Sequence, residues 1–332
     1  MAGLDADFKA FLDATSNTSE PRATTAEEQQ RRRDLEEKRP GEDAETMGKV
    51  VNMEVPGPDG EVPVRIYYPR SFKGEALPVC VYFHGGCWFM GRLDGKDAWL
   101  RRLSNVANII IMSVDYRRAP QSKFPAGLED CYAATKHAAL KGSELSMDPK
   151  RLAVGGDSCG GNLSAAVSLL ARDRGEFTIA LQLLLCPMTD HYLPGTDSLR
   201  DNAEDYGYDA WLNKMGWDAY GATTPPHGSP EQPHTLAAVL RHTDVSGVPP
   251  ALVVLGQYDI VHDEGLKYAE KLAAVNVPVT VKDFTGVGHN FPSHSVAAEK
   301  LGLHIQKGEA AVQDIVEYIK KHLHSSGHSD LQ

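Results

Sequence analysis

Leu152-Ala-Val-Gly-Gly-Asp-Ser158-Cys-Gly-Gly-Asn162, running on into Leu163-Ser-Ala-Ala-Val-Ser-Leu-Leu170, is the stretch on which the fold turns. A short apolar run meets a glycine-rich pentad, and an apolar helical stretch begins with no linker between them. Gly156-Asp157-Ser158-Cys159-Gly160 fits G-x-S-x-G, and strand, sharp turn and helix is the geometry that exposes a serine hydroxyl at the top of an α/β sheet. Side chains at Gly156 or Gly160 would clash across such a turn, and the serine between them is held in strained backbone. The helix N-terminus points free N–H groups at the same place, which suits developing negative charge. In a chain with 30 glycines the pentad alone is weak, because an ordinary Gly-rich turn would read the same. A phosphate loop fits less well, since Gly161 stands where GxxxxGK[ST] requires Lys.

The same pattern extends outward. Runs rich in Val, Ile and Tyr occur at Val50–Val55, Val62–Tyr68, Val79–Phe83, Ile109–Val114, Leu152–Val154, Leu181–Leu185, Leu252–Leu255 and Val277–Val281, most of them bounded by Gly, Pro or Asp. After the third, they alternate with helical stretches at Asp97–Asn105, Gly127–Leu140, Gly160–Ala171, Glu264–Ala274 and Glu309–His322. Nearly continuous apolar strands separated by helices describe an α/β architecture, a mostly parallel sheet of about eight strands covered on both faces. The first two runs flank Gly57-Pro58-Asp59-Gly60 and predict an antiparallel hairpin at the sheet edge. Leu4, Phe8, Phe11 and Leu12 form the stripe of an amphipathic helix, and Glu27–Arg39 is a charge-dense run closed by Pro40-Gly41. From His191 to about Pro249 the alternation breaks into an aromatic, acidic segment, with Tyr206, Tyr208, Trp211, Trp217 and Tyr220, expected as a helical lid packed with the N-terminal helix. The division is then 1–48 N-terminal cap segment, 49–190 first part of the core, 191–249 cap insertion, 250–324 second part of the core and 325–332 flexible tail. The tract His322, His324 and His328 looks like a metal ligand set but reads as the frayed end of the chain.

Composition narrows the class. The 332 residues carry 34 Lys+Arg against 45 Asp+Glu, a formal net charge of −11, which disfavours a phosphate-backbone partner. A chain near this size buries a large core without disulfide or metal staples. Cys80, Cys87, Cys131, Cys159 and Cys186 are odd in number, without a CxxC pair, and several lie in apolar runs where a thiol acts as a small hydrophobe. Met1 to Glu20 has no apolar core of a signal peptide, and no apolar run reaches the roughly 20 residues of a membrane span. A cytoplasmic location is expected, and Asn17-Thr18-Ser19 is a chance sequon. No HExxH or comparable cluster calls for a metal, and no cofactor is expected.

A serine nucleophile needs an oxyanion site, a base and an orienter. His84-Gly85-Gly86-Cys87-Trp88 follows an apolar run, and bare glycines there let main-chain N–H groups approach a substrate oxygen; His84 itself fixes the loop. In the chain order Ser, acid, His, Asp259 lies just past Leu252–Leu255 and His289 just past Val277–Phe284, at carboxyl ends of parallel strands. The rivals fit less well: Asp263 opens the next helix and would cap it, His262 precedes any later acid except Asp263, and His294 falls in the following segment.

With these residues in hand, the chain resembles the hormone-sensitive-lipase-like esterases, a branch of the alpha/beta hydrolase fold. The match runs from Val62 to Phe291 through His84-Gly85-Gly86, Asp115-Tyr116-Arg117-Arg118-Ala119-Pro120, Gly156-Asp157-Ser158-Cys159-Gly160-Gly161-Asn162, Asp259 to Gly265, and His289. The resemblance implies Ser158 as nucleophile with Asp259 and His289, an oxyanion hole from the N–H groups of Gly85, Gly86 and Cys159, and an N-terminal cap. Cys87 stands in place of a third glycine and Cys159 in place of alanine, both adding bulk beside the reacting carbonyl; Arg118 and Gln121 depart from the usual Leu and Glu. The implied activity is hydrolysis of short-to-medium acyl or aryl esters of small molecules, in a pocket assigned to Trp88, Tyr208 and Trp211. A homodimer is an admissible assembly. A lactonase, deacetylase or dehydratase on the same scaffold is the alternative, and a non-catalytic receptor is disfavoured because His289 is kept.

Overall fold

The apolar runs form strands, and those at the centre of the sheet are covered on both faces. In the computed structural model, which describes residues 3–16, 22–37, 45–223, 229 and 232–324, eight of them make one sheet. In chain order the elements are α1 (Ala6–Thr15), α2 (Ala26–Glu37), β1 (Lys49–Gly57), β2 (Gly60–Tyr68), β3 (Leu77–Phe83), α3 (Asp97–Ala107), β4 (Ile110–Val114), α4 (Ala126–Lys141) and β5 (Met147–Asp157). They continue as α5 (Cys159–Arg174), β6 (Leu181–Leu185), α6 (Asp197–Asp201), α7 (Ala210–Tyr220), β7 (Ala251–Gly256), α8 (His262–Ala274), β8 (Val279–Phe284), α9 (Phe291–Lys300) and α10 (Gln306–Ile319). The sheet order is β1-β2-β4-β3-β5-β6-β7-β8. β1 pairs antiparallel with β2, and β2 antiparallel with β4, while β3 to β8 pair parallel. The expected edge hairpin is β1–β2.

β3, β4, β6 and β7 are buried along their whole length, which is why their sequences are continuous rather than alternating. Side chains still divide by parity: Val79, Val81 and Phe83 join one apolar layer, and Cys80 and Tyr82 the other. The first layer is closed by α4, α5, α8 and the chain between β6 and β7; the second by α1, α3, α9 and α10. On α5 every residue from Cys159 to Ala171 is buried, so the central helix is covered all round, its polar Asn162, Ser164 and Ser168 included.

Three features depart from expectation. The 191–249 segment is less helical than predicted: its α-helices are α6 and α7 alone among the described residues. Gly221, at positive φ, closes α7, while Gly195 and Gly207, also at positive φ, turn the non-helical chain that precedes α6 and α7. The charge-dense run is a helix, α2, although it has no apolar stripe. It is held from its sides: Gln30 is buried and donates from Nε2 to Phe89 O (2.6 Å) and Ala119 O (3.2 Å), and Asp34 meets Arg118 at 2.8 Å. α9, which the pattern did not mark, opens with Phe291-Pro292, and proline is tolerated in a first turn.

The N-terminal stripe docks as read, with Phe8, Phe11 and Leu12 buried. Leu12 Cδ2 lies 2.8 Å from where a Cβ on Gly207 would stand, so α1 touches the inserted segment. At the other end, His322 Nδ1 meets Tyr318 O (2.8 Å) and His324 Nε2 meets Ala107 O (3.0 Å), so these imidazoles close a helix end. His328 and the tail 325–332 lie outside the described residues, as do Asn17-Thr18-Ser19 and Pro40-Gly41. No helix among the described residues is long and apolar enough to cross a membrane.

Candidate active site

Sheet register assembles the site. Phe83 at the end of β3 pairs with Gly156 near the end of β5, so the glycine loop and the serine turn leave adjacent strands at one level. Ser158 follows β5 with φ 59° and ψ −123°, a backbone state that costs a non-glycine residue of order 1–3 kcal/mol. Surrounding contacts enforce it. Ser158 N donates to Leu185 O at 2.8 Å, and Ser158 O accepts from Asn162 N and Met188 N, both at 3.2 Å. A Cβ on Gly156 or Gly160 would overlap the carbonyl oxygen of Phe83, so both positions demand glycine. The serine side chain does not cap α5.

Asp259 and His289 sit on the loops that leave β7 and β8. His289 Nδ1 and Asp259 Oδ2 are 2.7 Å apart, and Asp259 Oδ1 accepts from Val261 N at 3.1 Å. Both side chains are buried. A carboxylate only accepts, so Nδ1 carries the proton and Nε2 is left as the basic nitrogen. His289 and Ser158 line one cavity of about 460 Å³, with Gly85, Gly86, Cys87 and Tyr208. Tyr208 stacks on the His289 ring at 4.4 Å and sets its hydroxyl 3.2 Å from Cys87 Sγ. Burial pushes the Cys87 thiol up to about 12, against the opposing hydrogen bond from Tyr208.

The glycine loop departs from expectation at one atom. Gly85 N donates to Asp157 Oδ1 at 3.2 Å, so this amide is occupied and its place in the predicted oxyanion hole falls. The amides of Gly86, Cys87 and Cys159 have no acceptor among the described residues. Gly86, Cys87 and Trp88 take φ of 125°, 52° and 62°, which turns the loop inward. Trp88 N donates to Cys159 Sγ at 3.1 Å, pinning the loop to the first residue of α5. His84 fixes the loop as expected: Nδ1 lies 2.9 Å from Gly85 O, and the ring stacks on Tyr116 at 4.3 Å.

Asp157, unremarked in the sequence, holds this arrangement from below. It accepts from Tyr82 OH at 2.8 Å and meets Lys96 Nζ at 2.7 Å. Burial works to raise its pKa, but the Lys96 ammonium and the Tyr82 hydroxyl outweigh burial and keep it below the ordinary aspartate value. No spacing signal connects residues 82, 85, 96 and 157; only their common level on the sheet does.

Two pocket assignments are corrected. Trp88 is buried, stacked on Tyr220 at 4.3 Å and edge-on to Trp217 at 4.6 Å, because its φ turns it into the core under the loop. Trp211, half-buried on α7, lies beside residues 24–27 rather than in this cavity, with Arg22 5.3 Å above its ring. Tyr208 does line the cavity. Asp263 does not cap its own helix; its Oδ2 accepts from Ser198 N at 2.9 Å, at the start of α6. His262 lies 3.2 Å from Asp283 on the outside of β8.

Cys186, just past β6, brings its Sγ within 4.8 Å of ligand-type atoms of Asp259 and His289, another neighbour the sequence did not mark. That set could serve a metal ion, but 2.7 Å between His289 and Asp259 is a hydrogen-bond distance. Two ligands of one tetrahedral zinc stand about 3.3 Å apart.

Comparison with known proteins agrees with this fold. A family model described as the alpha/beta hydrolase fold matches residues 80–293. The esterase LipI of Mycobacterium tuberculosis is 36% identical over 250 residues, 74% of this chain and 76% of that protein. The carboxylesterase NlhH of the same species is 36% identical over 263 residues, 77% of this chain and 80% of that one. An arylesterase of Saccharolobus solfataricus is 34% identical over 246 residues, 74% and 78% of the two chains. Among solved structures, a thermostable esterase from Pseudomonas putida superposes with TM-score 0.86 at 30% identity, over 97% of this chain and 98% of that one.

Proposed function

The chain belongs to the alpha/beta hydrolase family, in its hormone-sensitive-lipase-like branch, and we propose that it is a serine carboxylic ester hydrolase working through an acyl-enzyme. The observation that carries this reading is the strained Ser158 sharing a cavity with an imidazole whose Nδ1 is bound to a buried carboxylate. His289 Nε2 takes the Ser158 proton as Oγ attacks the ester carbonyl; Asp259 fixes the tautomer and stabilises the imidazolium. The tetrahedral oxyanion is held by the amides of Gly86, Cys87 and Cys159, at the positive end of α5. Collapse expels the alcohol, which receives the proton from His289. Water, deprotonated by the same nitrogen, then attacks the acyl-enzyme and releases the acid and free Ser158.

The rest of the reading concerns the pocket. A cavity of about 460 Å³ suits short-to-medium acyl or aryl esters. Tyr208 is its aromatic wall. The N-terminal segment 1–48 and the insertion 191–249 together form the cap, supported by the Arg22–Asp209 pair at 3.0 Å and by Leu12 against Gly207.

The test is covalent. A fluorophosphonate probe is expected to label Ser158 in the wild type and nothing in Ser158→Ala, with turnover of para-nitrophenyl butyrate falling by roughly 10⁴-fold or more. Wild-type turnover in Ser158→Ala would refute the nucleophile. A preference for long-chain triglyceride in a chain-length series would refute the small pocket.

A further inference from the structure

One turn of the inserted segment reaches both partners of the serine. Between α6 and α7 the chain passes Asn202, Tyr206 and Tyr208, and each touches a loop that carries Asp259 or His289. Asn202 Nδ2 donates to Asp259 O at 3.2 Å and to Gln257 O at 3.3 Å. The Tyr206 ring stacks on Tyr258, the residue before Asp259, at 4.9 Å and 9°. Tyr206 O lies 2.7 Å from where a Cβ on Gly288 would stand, one residue before His289. Tyr208 lays its own ring on the His289 imidazole at 4.4 Å and 29°. Gly207 between the two tyrosines has φ 93° and bears on Leu12 of α1, so the turn is wedged between the N-terminal helix and the two loops.

The Tyr208 ring is fixed at its far end. Its hydroxyl lies 3.6 Å from Met188 Sδ and 3.2 Å from Cys87 Sγ. A thioether only accepts, so the hydroxyl donates to Met188 and accepts from the Cys87 thiol. Burial, then the neighbouring Cys87, raises the phenol well above its ordinary value, so it stays protonated at working pH. Met188 is tied to the nucleophile itself, its N–H donating to Ser158 O at 3.2 Å. One side chain of the inserted segment therefore joins the glycine loop and the chain after β6, with its face against the base. That face meets a neutral imidazole in the resting enzyme and a cation once His289 has taken the Ser158 proton. An aromatic face attracts a cation through its quadrupole. A contact that strengthens on the way to the transition state raises kcat rather than lowering KM.

Resting on the serine-hydrolase reading of this site, we propose that Tyr208 is a positioning residue for His289: its ring holds the imidazole in the cavity with Ser158 and stabilises the imidazolium, and the Cys87 thiol locks the ring in place. Tyr208→Leu removes the face and keeps an apolar side chain in the pocket wall. Counting active sites by fluorophosphonate labelling taken to completion separates slow enzyme from unfolded enzyme. Per labelled site, kcat of Tyr208→Leu is expected to fall about 5- to 30-fold, with KM changed by less than about threefold. The fall is the same for para-nitrophenyl acetate, butyrate and octanoate. Tyr208→Phe keeps the face and is expected to hold kcat within about threefold of wild type. Cys87→Ala keeps the main-chain amide and the Cβ while freeing the hydroxyl, so it matches Tyr208→Phe, and the double variant is no slower than either alone. If Tyr208→Leu does not fold, Tyr208→Met makes the same comparison, since it too has no aromatic face. Wild-type kcat with an altered chain-length preference in Tyr208→Leu makes the residue a pocket wall alone and overturns the proposal. A Tyr208→Phe enzyme as slow as Tyr208→Leu overturns it too, because the ring then has no part. Losses that multiply in the double variant overturn the Cys87 lock. No labelling and no turnover in the wild type overturns the hydrolase reading instead.

Discussion

Asp157 shows how much a single buried group contributes beside a nucleophile. One carboxylate takes Tyr82 OH, Gly85 N and Lys96, and so joins two neighbouring strands, the oxyanion loop and the rim. Asp157→Asn removes the charge that Lys96 faces, and breaking a buried pair by one partner costs about 3–5 kcal/mol. Because the folded carboxyl lies below its ordinary value, its stabilisation is present above about pH 4 and is lost as pH falls through the folded value. Urea titrations are therefore expected to show wild type well above Asp157→Asn at pH 7, with the gap closing below about pH 4. Gly160 poses a purely steric test. Its missing Cβ is occupied by the Phe83 carbonyl, so Gly160→Ala is expected to lower stability by more than about 3 kcal/mol and to abolish turnover. Ser158, Asp259 and His289 could be picked from the sequence because each has a motif or a strand end to mark it. Lys96, Cys186 and the Gly85–Asp157 bond have no such marker: residues 85 and 157 are 72 positions apart.

At the scale of elements, α1 braces the loop that carries His289. Asp5 N donates to Gly286 O at 2.8 Å, Phe8 Cε1 lies 3.2 Å from where a Gly288 Cβ would stand, and Phe11 meets the His294 ring at 5.0 Å. Phe8 is fully buried. Phe8→Ala is expected to cost about 3–5 kcal/mol and, by loosening this loop, to lower kcat more than it changes KM; thermal melts and steady-state kinetics read the two effects. Legibility at this scale followed the physics of burial. β3, β4, β6, β7 and α5 were evident because they are covered on all sides and their residues say so. α2 was invisible as a helix because its stability comes from Gln30 and Asp34 binding distant groups, not from an apolar stripe. α9 was hidden by the short span between His289 and its first residue, Phe291. The 191–249 segment misled because aromatic density reports burial, not conformation: Tyr208 and Trp217 are buried, one beside α6 and α7 and the other on α7.

For the molecule as a whole, parallel pairing followed from the apolar runs, whereas the strand order β4-β3-β5 and the direction of each loop amide depend on contacts no local window contains. The same long-range packing sets the pH response. Asp34 and Asp148 are held below the ordinary range: burial opposes this, but Arg118 and Arg151 outweigh it. With Asp157 they place a common loss of stability on the acid side. Glu264 works in the opposite sense. It is buried in the first turn of α8, where its Oε1 accepts from Thr189 N at 2.7 Å and Asp190 N at 3.3 Å. Burial, with the Asp190 charge beside it, raises its carboxyl well above the usual value. A raised folded value means the group's contribution is whole below the unfolded value of about 4.3 and is lost as pH climbs toward the folded one. Glutamine keeps the accepting oxygen and has no charge to bury. Glu264→Gln is therefore expected to melt higher than wild type at pH 8, by roughly 1–2 °C for each 1 kcal/mol recovered, and to lose that advantage near pH 4. A variant that melts lower than wild type at pH 8 would mean that the carboxylate is ionised and earns its place through the two amides of residues 189 and 190.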